Sequence, residues 1–264
     1  MTSGQRWQEL TAEVAVPRLV ERHGGQLYRL ALRFCGTPAD AEDLVQQTYL
    51  QAFRSWSQFR GDAEPTTWLY TIAARACERS RRRRSGEPRH LESLDALLPS
   101  HEPDVVDLPS AGESPLDAEL RREAAKTLDH AISALPAPMR MALVLKDIVE
   151  LPVKDVAAVL GVKAATVKTR VHRARLMLRR ELARTLPRKE APPASLSRRV
   201  CLDLLKAKQE ALDKGVRFPV PQEDICERCR GLFATLDLGR DTCRALGRGV
   251  LPKALRDSLK AMGT

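Results

Sequence analysis

The chain has 264 residues, with 44 lysines and arginines against 34 acids and a formal net charge of +10, a balance that points to a polyanionic partner. Aromatics make up only 4% and alternating β-branched runs are scarce, which argues against sheet-based folds and for an all-α protein of two or three small domains. The polar start MTSGQRWQEL and the lack of any apolar run near ~18 residues exclude a signal peptide and a membrane span, so the expected location is cytoplasmic, with no membrane partner. Six cysteines in such a reducing compartment are expected to be buried thiols, metal ligands or redox groups rather than disulfides.

In chain order, residues 1–15 read as a tail and 16–85 as a first helical domain, broken at Gly36-Thr37-Pro38 and Arg60-Gly61-Asp62. Thr37 or Asp40 caps a helix carrying Ala41, Leu44, Val45, Thr48 and Ala52. The next helix, Thr66 to Arg84, carries Trp68, Leu69, Ile72, Ala73 and Ala76. Arg75, Arg79 and the run Arg81, Arg82, Arg83, Arg84 concentrate positive charge that suits phosphates. Trp68 can stack on an unpaired base or serve as an ordinary core residue. Cys35 and Cys77, among apolar neighbours, read as core thiols.

Residues 86–118 change character, with five prolines, many acids and Arg89 as the sole Arg or Lys. They read as a flexible acidic linker. The second helical domain spans 119–187. Within it Val153, Val156, Ala157 and Leu160 recur at helical spacing until Gly161-Val162, and a second helix starts near Ala164 with Val167, Val171, Ala174 and Leu178 on one side. At 100° per residue, Thr169, His172 and Arg173 stand opposite that stripe, flanked by Lys168 and Arg170. A helix held by its apolar side and presenting Thr, His and Arg outward fits a DNA major groove.

A hinge at 188–199 containing Pro192-Pro193 leads to a segment, 200–264, that holds four cysteines. Cys226 and Cys229 form a CxxC, with Cys201 upstream and Cys243 downstream. Four thiolates complete a tetrahedral metal site, and no histidine follows His172 to supply nitrogen. An all-thiolate set suits copper as Cu(I), zinc or cadmium. A dithiol redox switch and plain buried thiols are the other readings of this segment.

The block DAEDLVQQTYLQAFRSWSQFRGDAEPTTWLYTIAARACERSRRRR resembles the second conserved region of extracytoplasmic-function (ECF) sigma factors of bacterial RNA polymerase, and LPAPMRMALVLKDIVELPVKDVAAVLGVKAATVKTRVHRARLMLRREL resembles their fourth region. The resemblance implies a non-enzymatic transcription initiation factor whose partners are core polymerase (its β and β′ subunits) and promoter DNA. It implies that Asp40, Glu42, Asp43, Gln46 and Gln47 dock on core polymerase. Trp68, Arg75, Arg79, Arg81 and Arg82 would engage the −10 element, and Lys168, Thr169, Arg170, His172 and Arg173 the −35 element. The tail resembles the cysteine-rich domain of CorE-like metal-dependent sigma factors, which implies a metal ion (copper, zinc or cadmium) on Cys201, Cys226, Cys229 and Cys243, and gating in cis without a separate anti-sigma factor. It also resembles zinc-finger anti-sigma domains, except that Gln222 stands where their histidine falls. The rival readings are a helix-turn-helix regulator independent of core polymerase, a sigma factor whose CxxC is a thiol redox switch, and a CxxC oxidoreductase.

Overall fold

The computed structural model describes residues 7–84, 104–107, 115–193, 195–247 and 250–261. Helix boundaries follow capping chemistry. Helix α1 (Ala12–Cys35) stops at Gly36, whose left-handed φ of 89° lets its N–H close on the Leu32 carbonyl. Helix α2 (Pro38–Arg54) starts from Thr37, whose hydroxyl oxygen accepts the Asp40 N–H at 3.2 Å and donates to the Asp40 carboxylate at 2.8 Å. Helix α3 (Pro65–Arg84) completes the first domain, around Leu19, Leu27, Leu30, Phe34, Val45, Leu69 and Tyr70.

The second domain comprises α4 (Pro115–Ala134), α5 (Ala137–Leu143), a π-helical turn Val144–Ile148, α6 (Val153–Leu160) and α7 (Ala164–Thr185). Gly161, at φ 64°, makes the turn between α6 and α7. Three further helices follow: α8 (Arg198–Lys214), α9 (Glu227–Leu246) and α10 (Lys253–Ala261). None of the described helices is long and apolar enough to cross a membrane.

The acidic stretch is less uniform than its composition suggests. Helix α4 begins at Pro115, before the expected 119, and Asp104–Val106 forms a strand, β1. It pairs antiparallel with β2 (Arg188–Glu190) in the hinge, with Val105 opposite Lys189. Val105 and Val106 are both buried, against α9. Two β-branched residues in a run of acids and prolines suffice for one short strand, and averaging over the stretch hides them.

The C-terminal helices do not stand apart. Helix α9 packs on α4, α7 and the π-helical turn, while α10 packs on α1. Small residues mark the close approaches. Leu251 sits over Gly24 of α1, where a Cβ would lie 2.8 Å from its Cδ2. A Cβ on Gly247 would lie 2.4 Å from the Ile148 carbonyl oxygen, and one on Gly231 3.2 Å from that of Val106. The first two domains also touch each other, α3 against α6 and α1 against α4 and α5.

Candidate nucleic-acid interface and thiol cluster

Helix α7 buries Val167, Val171, Ala174 and Leu178. Lys168 and Thr169 are exposed, and Arg170, His172 and Arg173 are half-exposed. All five therefore lie off the buried stripe, but they are not equally available. His172 Nε2 lies 2.9 Å from the Asp213 carboxylate at the end of α8, and the Gln209 amide donates to the His172 carbonyl oxygen at 3.3 Å. One turn on, Arg175 is buried and makes a two-pronged pair with Asp147 (2.8 and 2.7 Å) and a third bond to Asp213 at 2.8 Å. Burial alone would raise the Asp213 carboxyl, but the His172 bond and the Arg175 charge outweigh it and hold the group below the ordinary carboxylate range. Helix α7 is thus gripped by the C-terminal unit through one of its outward residues.

Sequence reasoning missed Arg175, Asp147, Gln209 and Asp213. Two signals were there. Arg175 falls within the apolar stripe, one turn from Val171 and three residues before Leu178, and Asp147 interrupts the apolar run ALVLKDIV. A buried arginine needs such partners, because an unpaired buried charge is strongly destabilising.

On α3, Arg75 and Arg79 are exposed. Trp68 is half-buried, its ring edge-on to Trp56 at 5.6 Å and tilted against Phe59 at 5.5 Å. Its packing is that of a cluster member with one accessible side. The side chains of Arg81 and Arg82 lie outside the described residues. On α2, Asp43 and Gln47 are exposed one turn apart, Glu42 and Gln46 are half-exposed, and Asp40 is engaged in the cap.

The CxxC brackets the first turn of α9: Cys226 is its N-cap residue, and Cys229 lies inside it. Their sulfurs and that of Cys201 on α8 lie within 4.8 Å of one another. Thiolates at ~2.3 Å from a tetrahedral ion stand about 3.8 Å apart, so this trio fits a soft ion with little adjustment. Cys243 does not join it. It lies fourteen residues beyond Cys229 on the same helix, about 21 Å along the axis at ~1.5 Å per residue. There it is fully buried, close enough to Asp147, Arg175 and Arg33 to feel their charges. Burial pushes the Cys201, Cys229 and Cys243 thiols up, so a metal at the trio must displace protons to bind. Cys77 is buried and Cys35 half-buried, the latter pushed up chiefly by its bond to Cys77.

The two helical domains, in this order and with a basic helix-turn-helix in the second, define a two-domain promoter-binding class. Residues 19–87 match the family pattern of Sigma-70 region 2, and residues 125–178 that of Sigma-70, region 4. The chain is 31% identical over 167 residues to the ECF RNA polymerase sigma factor SigW of Bacillus subtilis, covering 62% of this chain and 87% of that one. It is 36% identical over 169 residues to the ECF sigma factor SigE of Mycolicibacterium smegmatis, covering 63% of this chain and 61% of that longer relative. Solved structures with similarity include the sigma factor RpoE of Bartonella quintana in complex with the anti-sigma factor NepR (26% identity, TM-score 0.42, covering 59% of this chain and 89% of that one). Another is CnrH in complex with the cytosolic domain of CnrY (24% identity, TM-score 0.44, 65% and 92%). The chain belongs to the ECF sigma factor family. Sigma factors are transcription initiation factors, not enzymes, and bind core RNA polymerase and promoter DNA. Residues 179–264, including four of the six cysteines, lie beyond both family patterns.

Proposed function

We propose that this chain is a cytoplasmic, CorE-like ECF sigma factor whose own C-terminal helices hold it closed, with the closed fraction set by a metal ion on Cys201, Cys226 and Cys229. The observation that carries this reading is the grip of α8 on the recognition helix, His172 to Asp213 at 2.9 Å. Distance supports it. Elements named −35 and −10 lie roughly 25 base pairs apart, about 85 Å along B-form DNA. The helices proposed to read them, α7 and α3, are separated here by α6 alone, which packs on both. Two helix packings span about 20 Å, so a molecule in this arrangement reaches one element at a time. Opening must precede promoter binding.

In the open form Thr169, His172 and Arg173 read −35 bases, with Lys168 and Arg170 on phosphates. Trp68, Arg75 and Arg79 engage the −10 element. Asp43, Gln47 and their α2 neighbours meet core polymerase. A soft ion on the three thiolates would join the start of α8 to the first turn of α9, coupling metal to the two helices that grip α7. Because the gate is part of the chain, a separate anti-sigma factor is not required. A thiol redox switch is the second reading, favoured by the same closeness of three free sulfurs.

The test is run-off transcription with purified core polymerase, comparing apo protein with protein loaded with Cu(I), Cu(II), Zn(II) or Cd(II) and with no anti-sigma protein added. Metal-dependent transcripts support the gate and name the ion; transcripts indifferent to every metal refute it. Cys226→Ser is expected to lower metal stoichiometry at equilibrium dialysis while leaving core binding intact. A metal response in wild type that depends on oxidant rather than ion identity would favour the redox reading.

A further inference from the structure

The strand pairing carries a consequence for reach. We infer that β1 and β2 form a latch that shortens the tether between the two DNA-binding domains, and that the CxxC turn holds the latch shut; this rests on the reading of the C-terminal unit as a gate. Residues 85–114 join α3 to α4. Thirty residues reach at most ~100 Å when extended, enough for two domains on elements about 85 Å apart. With Asp104–Val106 fixed to the hinge, only residues 85–103 remain to let α3 move away from the rest, and their limit falls to ~65 Å. With the helix between Arg79 and the tether and between Arg173 and β2 counted as well, about 30 Å at ~1.5 Å per residue, the latched chain spans the promoter only near full extension, an entropically costly state that the open latch avoids.

Three contacts hold it, all from the first turns of α9. Glu227 accepts from the Lys189 ammonium at 2.8 Å, and the same ammonium reaches Asp107, just after β1, at 3.2 Å. Arg228 Nε donates to the Pro192 carbonyl oxygen at 2.6 Å, fixing the hinge after β2. Gly231, one turn later, leaves the space into which the Val106 carbonyl and the Val105 side chain pack. Glu227 and Arg228 are the two residues between Cys226 and Cys229. Whatever repositions those two thiols turns the residues that grip β2 and the hinge, so the thiol trio and the tether length are mechanically joined. Asp104 and Glu190 face each other across the strands with like charge, which keeps the pairing weak enough to open.

The latch is tested in the full chain with Asp104→Cys/Glu190→Cys, a directly opposed pair within disulfide reach. Mild oxidation is expected to form the crosslink, read on a non-reducing gel against wild type. The crosslinked protein is expected to lose run-off transcription at least tenfold relative to wild type under the same oxidation, with dithiothreitol restoring it. Failure of the crosslink to form, or undiminished transcription once it has formed, overturns the latch. The metal response of wild type in the same assay reports separately on the gate. A responsive wild type with an active crosslinked variant keeps the gate and sinks the latch. An unresponsive wild type with a reversibly silenced variant keeps the tether limit and removes its control by metal.

Discussion

Asp213 joins the C-terminal unit to α7 through two side chains at once, His172 and Arg175. Asp213→Asn keeps the shape and removes the charge, at an expected cost of about 1.5–3 kcal/mol to the closed form for the charge-assisted bonds lost. Faster hydrogen exchange across 198–214 measures it, and unchanged exchange would show that the bonds contribute nothing. The pH dependence follows from the direction of the shift. The folded carboxyl is held below the ~3.9 of an unfolded aspartate, so its contribution is complete above about pH 5 and drains away as pH falls below about 4, through the lowered folded value. Denaturant midpoints of wild type and Asp213→Asn should therefore converge as pH falls below about 4. Arg173, which no closed-form bond is shown to engage, offers the cleaner readout of DNA. Arg173→Ala is expected to weaken binding to the preferred −35 sequence by about 1–3 kcal/mol and to relax specificity there. An equal loss on all duplexes would reduce Arg173 to a phosphate contact.

At the scale of elements, the glycine contacts of α9 and α10 differ in how far their partners can yield. Gly247 has a helical φ of −70°, so alanine is locally acceptable and even favoured by propensity. Its Cβ would nonetheless meet the Ile148 carbonyl at 2.4 Å, and backbone does not step aside. Gly247→Ala should lower the melting temperature, by about 1–3 kcal/mol of overpacking. Gly24→Ala meets only the tip of Leu251, a movable side chain, and should cost less; equal losses would mean that both interfaces are rigid. These contacts also mark where the sequence stopped being informative. The helix-turn-helix was legible because its apolar stripe, Gly161 turn and basic face all obey one local period. The outward positions of Lys168, Thr169 and Arg173 followed from the same period. What covers His172 was not legible, since Asp213 stands forty-one residues away and nothing in a local pattern encodes that pairing. Cys243 misled for the converse reason: spacing in sequence hid an uninterrupted helix that carries it away from the other thiols.

For the whole molecule, closure brings three otherwise independent parts onto one small unit: α1 against α10, α7 under α8 and α9, and β1 against α9. On α7 the closed arrangement engages only His172 among the outward residues and leaves Lys168, Arg170 and Arg173 exposed or half-exposed, so opening changes the separation of the two domains more than the charge they offer DNA. Fluorescence energy transfer between dyes placed on α3 and α7 should therefore fall when a −35/−10 duplex and core polymerase are added; unchanged transfer in the bound factor would contradict a need to open.

The hinge between α7 and α8 spans residues 186–197, a dozen residues with a flexible-chain reach of about 20 Å. A partner on so short a leash is present at an effective concentration in the millimolar range, whatever the copy number of the protein. Dilution cannot dissociate it, and overproduction cannot titrate it away. Under the proposed gate, a cell that raised the amount of this factor many-fold would leave the silent fraction unchanged, so expression would set the gain of the response while only the signal sets its threshold.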